Sequence, residues 1–277
     1  MEQNDAFNTD GLVSLRPLNL AADESFEQSR NVHKTEHSLR YFDFLVSLSQ
    51  FFGYLMLVLT GYYFSIIDRG YQWGKEGEFL GNVNFHGLFM TIALVFFQGE
   101  ALLSYRLYRH EPKLMSKIVH GSFHCAAIAL VTFAMIAVVN AKNFNMNKIP
   151  HMYSIHSWIG VGIMSVYVVQ LVLGFLTFFF PKASRDLRDK FHPIHRTISL
   201  ISFGASIAQV LLGNQNYQSL LQNGQPMDCA RTLSCEQHPF LIQNFNMLAI
   251  VFYGITVVVL SVNPNWRRRP TPDDKEA

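Results

Sequence analysis

The sequence predicts an all-α integral membrane protein with six transmembrane helices, because of its composition and the distribution of its apolar residues. Apolar residues make up 49% of the 277 residues and charged residues 15%, a balance unlike that of an ordinary soluble domain. The apolar residues also gather into blocks that match the roughly 20 helical residues needed to cross a hydrocarbon core. The six blocks are Phe44–Ile67, Phe85–Tyr105, Ile118–Ala141, Met152–Phe180, Ile194–Gly213 and Phe240–Val262.

The first block is a span and not a cleaved signal peptide, because about forty mostly polar residues precede it and it exceeds a signal h-region in length. Leu55–Leu59 in the first block and Val257–Leu260 in the last offer no polar face, which argues against a soluble helical bundle. The sequence also lacks the short alternating segments of a porin-type barrel.

The four blocks between the first and the last are joined by short connections, so neighbouring helices should pack antiparallel in one bundle. Asn214–Pro239 is the one long connection, with about 26 residues. We therefore expect one transmembrane domain, residues 41–265, between a flexible cytoplasmic tail at 1–40 and a second cytoplasmic tail at 266–277.

Positive charge is distributed unevenly between the two sides of the membrane. Lys and Arg cluster in both tails and in the connections after the second and fourth blocks. The opposite side holds Arg69, Lys75, Lys142, Lys148 and Arg231. Because cytoplasmic flanks retain positive charge, both termini are predicted to be cytoplasmic. The net charge of +2 is close to neutral, so nothing suggests a nucleic-acid partner.

Two of the three cysteines, Cys229 and Cys235, share the long non-cytoplasmic connection. An oxidising compartment would permit a disulfide between them. Two loop cysteines at this spacing could equally remain free thiols.

Four histidines stand near the starts of four consecutive spans, in the order His86, His120, His156 and His195. Because successive spans run in opposite directions, His86 and His156 share the non-cytoplasmic level, and His120 and His195 share the cytoplasmic level. Two facing imidazoles at one depth are what bis-histidine haem ligation requires, and a six-coordinate iron suits electron transfer because no position stays open for oxygen. The pattern favours two haems in a central four-helix bundle.

Two other uses of these histidines stay open from the residues alone. A closed zinc site needs four donor atoms, whereas each level offers two histidines and no neighbouring acidic or thiolate side chain. A haem-free proton-coupled transporter could use intramembrane histidines as a relay, although two pairs separated by apolar stretches suit a relay less well. We expect His124, His192 and His151 to support the ligands or to lie at the surface.

The residues around the histidines form four recognisable motifs. They are VNFH at Val83–His86, FQGEALLSYR at Phe97–Arg106, KIVHG at Lys117–Gly121 and MYSIHSW at Met152–Trp158. These motifs resemble those of the animal cytochrome b561 family, which are ascorbate-dependent transmembrane electron carriers. The resemblance extends from the first span to Trp266–Pro270 and covers about four-fifths of the chain.

The resemblance implies two haems b with their axial ligands at His86, His120, His156 and His195. It also implies that cytoplasmic ascorbate binds at Arg106, Lys113 and Lys117. Ascorbate is a monoanion, and cations near a haem edge can attract and hold it. The same three residues could instead serve only as topology signals.

On the opposite face, the residues expected near the electron acceptor are Lys142, Asn143 and Tyr153. Two positions depart from the family pattern. Glu100 places a carboxyl group where members commonly carry Asn or another neutral residue, and a buried carboxyl should be neutral or paired. The segment AKNF at Ala141–Phe144 stands where the outer loop of members often presents a histidine.

Together these features predict an ascorbate-dependent transmembrane oxidoreductase, which passes electrons from cytoplasmic ascorbate through two haems to monodehydroascorbate or a ferric chelate. The other expected partners are the lipid bilayer and, in a homodimer, a second copy of the chain. One alternative function is the haem-free transporter. Another is a haem-binding sensor or assembly subunit without turnover. The presence of Arg106, Lys113 and Lys117 argues against this second alternative. The sequence is compatible with a location in a secretory-vesicle, endolysosomal or plasma membrane.

Overall fold

The computed structural model describes residues 15–67, 70–73, 79–143, 150–221 and 238–268, which form helices and short connections. The helices are α1 Leu15–Ile66, α2 Phe79–Thr91, α3 Gln98–Leu107, α4 Lys113–Asn143, α5 Ile155–Phe178, α6 Arg185–Leu221 and α7 His238–Val262. A π-helical segment, Ile92–Phe97, joins α2 to α3, and a 3-10 turn, Pro264–Trp266, follows α7.

Within these described residues, six helical stretches are long and apolar enough to cross a membrane, which confirms the predicted fold class. They are Glu36–Ile66, Gly81–Leu107, Lys113–Asn143, Ile155–Phe178, Arg185–Ser219 and Pro239–Val262. The second stretch comprises α2, the π-helical segment and α3. Large apolar side chains on α5, such as Val169 and Phe175, are about half exposed, as expected for a surface that contacts lipid.

The structure describes parts of both segments that the sequence predicts to be tails. By internal contacts the chain divides into Met1–Leu45 and Val46–Ala277. Helix α1 begins at Leu15, within the segment that the sequence predicts to be the first cytoplasmic tail. Trp266, placed by the sequence at the start of the second tail, has only 2% of its surface exposed.

The four helices that carry the histidines pack as two pairs. Helix α2 packs on α4, and α5 packs on α6. The ends of these helices have local causes: Ser154 caps α5 by accepting a hydrogen bond from the Ser157 backbone nitrogen, and Pro112 precedes α4.

Polar side chains tie α1, α6 and α7 together inside the span region. Thr60 donates to Asn246 Oδ1 at 3.1 Å, Asn246 donates to Gln243 Oε1 at 3.2 Å, and Gln243 donates to Asn214 Oδ1 at 2.7 Å. Such bonds satisfy polar groups that lipid could not and hold helices in register. Cys229 and Cys235 lie outside the described residues, so their disulfide stays a prediction.

Candidate functional site

The structure brings the four predicted histidines together as two facing pairs. The rings of His86 on α2 and His156 on α5 have their centres 6.4 Å apart. The rings of His120 on α4 and His195 on α6 have the same separation, 6.4 Å. Each pair therefore contains one histidine from the α2–α4 pair of helices and one from the α5–α6 pair.

The separation of the rings fits bis-histidine ligation of one metal ion. A bond from a first-row metal to an imidazole nitrogen is about 2.0 Å long, and the nitrogen lies roughly 1.1 Å from the ring centre. Two imidazoles on opposite sides of one iron therefore have ring centres about 6.2 Å apart. Both pairs are close to this value, so the residues present fit two haems, one at each pair.

The two pairs lie at different depths. His86 Nδ1 contacts the Ala134 carbonyl oxygen at 3.1 Å, whereas His120 is fourteen positions earlier on the same helix, α4. At a rise of about 1.5 Å per residue, the two levels are separated by about 21 Å along α4. One pair therefore lies towards each end of the four helices.

Each histidine uses Nδ1 for a protein contact, which leaves Nε2 for a metal ion. His120 Nδ1 lies 2.8 Å from the Ala101 carbonyl oxygen, and His195 Nδ1 lies 3.2 Å from Gln170 Oε1. His156 Nδ1 lies against the side-chain amide of Gln209. A hydrogen-bond acceptor at the second nitrogen fixes the tautomer and the ring orientation of a ligating histidine. Gln170 and Gln209 were not singled out from the sequence.

The donor sets favour haem over zinc. Among the described residues, no group of three or more His, Cys, Asp or Glu side chains could hold a metal ion together, whereas structural zinc takes four such donors. His124, one turn after His120, has its ring centre 4.5 Å from that of His120. Its Nδ1 lies 2.6 Å from the Tyr167 hydroxyl. His124 therefore lies beside His120, with its Nδ1 directed to Tyr167.

The FQGEALLSYR motif holds His120 in place. Ala101 supplies the carbonyl oxygen at His120 Nδ1, and the Tyr105 ring lies 5.5 Å from the His120 ring. Arg106 is 6% exposed and donates to the Ser261 carbonyl oxygen near the end of α7. Arg196 Nη2 donates to the same oxygen at 3.0 Å. The motif therefore connects one haem ligand to α7.

Lys117 lies near the His120–His195 pair, and Lys113 lies near Lys117. Lys117 Nζ donates to the Phe178 carbonyl oxygen at 2.9 Å, and the Phe178 ring lies 5.5 Å from the His195 ring. The ammonium group of Lys117 also interacts electrostatically with three nearby cations, which are Lys113, Lys182 and Arg188. This cationic group surrounds Lys117, while the described contacts of Arg106 are with α7 and Arg196. Lys182 and Arg188 belong to the basic connection after the fourth apolar block, which the sequence predicts only as a topology signal.

The His86–His156 pair opens into a cavity of about 240 Å³. Lys142, Tyr153 and His151 also line this cavity. Lys142 Nζ lies 5.2 Å from the centre of the Tyr153 ring, a cation–π contact. The third predicted residue, Asn143, reaches the group through its Oδ1, which lies 3.1 Å from His151 Nε2.

His151 changes the expectation for this face. The sequence lacks a histidine at Ala141–Phe144, but the structure brings an imidazole to the same cavity from the residues before α5. The sequence predicts a supporting or surface position for His151, and its side chain is exposed. Its position beside Lys142 was not visible, because it depends on how the connection between α4 and α5 returns.

Glu100 is buried and paired through hydrogen bonds. Its Oε1 accepts from Gln50 Nε2 at 2.9 Å and from the Tyr253 hydroxyl at 3.0 Å. These two donors come from α1 and α7, so the carboxyl group joins three helices. The pairing meets the requirement that a buried carboxyl group have hydrogen-bond partners.

Comparisons with known proteins agree with this site. A sequence model of the family described as "Eukaryotic cytochrome b561" matches residues 85–220, a region that contains all four facing histidines. The transmembrane ascorbate-dependent reductases of Mus musculus and Homo sapiens are each 30% identical to this chain over 235 residues, which cover 84% of this chain and 88% of theirs.

The plasma membrane ascorbate-dependent reductase of Xenopus laevis is 33% identical over 231 residues, covering 81% of this chain and 76% of its own. The similarity to these relatives thus spans most of each chain. Together with the six membrane-spanning helices, it shows that this protein belongs to the eukaryotic cytochrome b561 family.

Proposed function

We propose that this protein is a transmembrane oxidoreductase that takes electrons from ascorbate at the cytoplasmic face and delivers them, through two b haems, to an acceptor on the opposite face. The observation that carries the proposal is the presence of two histidine pairs with ligating geometry at two depths. Each haem, held by two imidazoles, would supply one-electron transfer without an open coordination position.

The residues around the His120–His195 pair suit ascorbate as the electron donor. Ascorbate loses one electron and one proton to give monodehydroascorbate. Lys113 and Lys117 provide positive charge that would attract and orient the ascorbate monoanion. Arg106 is buried against α7, where its guanidinium group donates to the Ser261 carbonyl oxygen. From there it would add positive electrostatic potential at the ascorbate site.

The residues around the other pair suit an anionic acceptor. Lys142 supplies positive charge at the cavity, and Tyr153 holds the lysine ammonium group over its ring. Asn143 contributes an amide that orients His151. Monodehydroascorbate and a ferric chelate such as ferric citrate both carry negative charge, so both are proposed as acceptors.

The positive charges around Lys117 support a cytoplasmic location for the His120–His195 face. Both termini would then be cytoplasmic, and the protein would be a multi-pass protein of a secretory-vesicle, endolysosomal or plasma membrane. A homodimer is proposed as its assembly state.

The experiment that tests this function is haem quantitation on the purified full-length protein. We expect two haems per chain by pyridine haemochrome, with the spectrum of low-spin reduced iron. His86→Ala or His156→Ala should remove one haem, and His120→Ala or His195→Ala the other. His124→Ala is the matched control and should retain both. One haem or none in the unaltered protein contradicts the proposal, and two haems in His120→Ala would make His124 the ligand.

A further inference from the structure

Helices α5 and α6 carry the same pattern of three residues. In α5 it consists of His156, Gln170 and Gly174, and in α6 of His195, Gln209 and Gly213. In both helices, glutamine follows histidine by fourteen positions and glycine follows glutamine by four. Fourteen helical residues correspond to about 21 Å, and positions four apart share one face. Each helix thus presents histidine at one depth and the Gln–Gly pair at the other.

The Gln–Gly pair of each helix contacts the histidine of the other helix. Gln170 accepts from His195 Nδ1 at 3.2 Å, and its Nε2 donates to the His195 carbonyl oxygen at 3.1 Å. Gln209 contacts the same two atoms of His156, with Nε2 lying 2.9 Å from Nδ1 and donating to the carbonyl oxygen. Gln209 Oε1 is buried without a hydrogen-bond partner among the described residues.

The two amides can act on their histidines in the same way. Hydrogen bonding alone distinguishes the two ends of a glutamine amide. A smaller rotation of the Gln209 amide, which keeps Nε2 on the His156 carbonyl oxygen and turns the unpartnered Oε1 to His156 Nδ1–H, would reproduce the two bonds that Gln170 makes with His195. Both histidines then keep Nε2 for iron.

The two glycines let the imidazole rings approach the neighbouring helix closely. A Cβ atom on Gly174 would lie 3.1 Å from His195 Cε1, and a Cβ atom on Gly213 would lie 2.8 Å from His156 Cε1. A side chain at Gly213 would force the His156 ring to shift, and one at Gly174 would require the His195 ring to give by a few tenths of an ångström. Each ring is therefore held between an amide and a glycine backbone of the opposite helix.

The other two histidines are held differently. His86 and His120 contact the backbone carbonyl oxygens of Ala134 and Ala101, and a substitution cannot remove a backbone carbonyl. Each level therefore has one histidine held by the main chain and one held by a glutamine side chain. The glutamines are the side chains through which ligand orientation at each level can vary.

We propose that Gln170 and Gln209 are positioning residues that set the orientation and electron donation of His195 and His156, so that each helix tunes the haem whose ligand the other helix supplies. The inference rests on the proposed function, because it requires haem at both pairs. An acceptor at the imidazole N–H makes the ligand a stronger electron donor. Stronger donation favours the oxidised iron and lowers its midpoint potential.

The test is a redox titration of the purified holoprotein, with low-temperature electron paramagnetic resonance of the oxidised iron and haem quantitation. Gln170→Leu removes the acceptor at similar size, whereas Gln170→Glu keeps the shape with a stronger acceptor. We expect Gln170→Leu to raise the midpoint potential of the His120–His195 site and Gln170→Glu to lower it. Each change should alter the ratio of oxidised to reduced iron by up to about tenfold, which is 59 mV for one electron.

The Gln209 variants should produce the same opposite shifts at the His86–His156 site. The two components are assigned in His86→Ala, which keeps only the His120–His195 site. Gln98→Leu is the matched control, because Gln98 is equally buried but contacts Ser202 and Ser206 and no histidine. It should leave both potentials and both resonance signals unchanged.

The outcomes separate this inference from the proposed function. Two bound haems with potentials and resonance signals unaffected by all four glutamine substitutions would overturn the inference and leave the function standing. A shift at the wrong site, or in the same direction for Leu and Glu, would also overturn it. If a Leu variant loses its haem, the Glu variant decides, since a lowered potential supports the inference and an unchanged one refutes it. Unaltered protein without haem would instead refute the proposed function.

Discussion

At the scale of single residues, Lys113 and Lys117 are the side chains best placed to distinguish ascorbate from other reductants. Lys117 is tied to Phe178, whose ring borders His195, so a bound anion there would lie beside a haem ligand. An exposed ion pair contributes up to about 1 kcal/mol, or roughly fivefold in affinity. The contribution grows when the ligand displaces water from a partly buried cation such as Lys117.

We therefore predict that Lys113→Ala and Lys117→Ala each raise the ascorbate concentration needed for half-maximal haem reduction by about 5- to 10-fold. Reduction by dithionite, which acts without this anion site, should change little. Stopped-flow absorbance with both reductants measures the difference. Arg185→Ala is the control, because Arg185 is exposed and its described contact is with Asp189. Equal loss with both reductants would point instead to damaged haem binding.

A second prediction concerns Glu100, which accepts hydrogen bonds from Gln50 and Tyr253. Glu100→Gln keeps an acceptor oxygen at the same place, so its stability should stay close to that of the unaltered protein. Glu100→Leu removes the acceptor of the part-buried Gln50 amide, whereas the Tyr253 hydroxyl can still donate to the Phe96 carbonyl oxygen, so it should destabilise the fold by about 1–3 kcal/mol. The stability of both variants is measured by thermal unfolding in detergent, monitored through the loss of the haem absorbance. A Gln variant as unstable as the Leu variant would show that the carboxyl charge itself is required.

Residues that act through their own chemistry were predictable, and residues that act through a contact were not. His86, His120, His156 and His195 stood out because a repeated imidazole in an apolar span is chemically unusual. Gln170 and Gln209 did not, since a membrane glutamine has many uses. Only the packing of α5 on α6 shows that each glutamine meets a histidine 25 or 53 positions away.

At the scale of elements, the six spans followed from hydropathy, but the π-helical segment Ile92–Phe97 did not. Each of the four spans carries a haem-ligand candidate at one level and, further along, a residue that contacts a histidine at the other level. The effect of the π-helical segment is visible in the spacing between these two positions. The spacing is fourteen positions in α4, α5 and α6, whereas His86 and Ala101 are fifteen apart. A π-bulge accommodates one extra residue in an otherwise α-helical span. It therefore keeps the Ala101 carbonyl oxygen at the level of His120.

We therefore predict that the fold and haem binding tolerate deletion of Ile92. Removal of one residue from a π-bulge restores a regular α-helix and leaves the flanking segments in register. Deleting Val168 from α5, which has no bulge, should rotate Gln170 by about 100° relative to His156 and disrupt haem binding. Haem quantitation on the two deletion proteins provides the test, with two haems expected for the first and fewer for the second. Loss of haem in both proteins would remove the compensating role assigned to the π-helical segment.

At the scale of the whole molecule, the fold places a differently charged environment at each histidine pair. The His120–His195 end gathers Lys113, Lys117, Lys182 and Arg188, while the cavity at the other end has Lys142 beside Tyr153 and His151. The positive-inside pattern predicted this asymmetry between the faces. The imidazole at the second face was not predicted, because His151 precedes α5 and reaches the cavity only in the folded chain.

The second face thus offers an acceptor two kinds of interaction. Lys142 attracts anions but is a poor ligand for iron, whereas His151 could coordinate ferric iron directly through its imidazole. Monodehydroascorbate carries negative charge and needs no coordination, so it depends on the lysine alone. A weakly chelated ferric ion depends on the imidazole. Substitutions at these two residues should therefore separate the acceptors.

We predict that Lys142→Ala slows haem reoxidation by monodehydroascorbate and by ferric citrate about 3- to 10-fold, since each loses one favourable charge interaction. His151→Ala should leave monodehydroascorbate unaffected and slow only acceptors whose iron has open coordination positions. The measurement is stopped-flow reoxidation in proteoliposomes loaded with ascorbate, with each acceptor supplied to the face that carries the cavity. Added salt should reduce the effect of Lys142→Ala, because it screens an exposed charge. Rapid reoxidation by weakly chelated ferric ion, undiminished in both variants, would show that neither residue selects the acceptor.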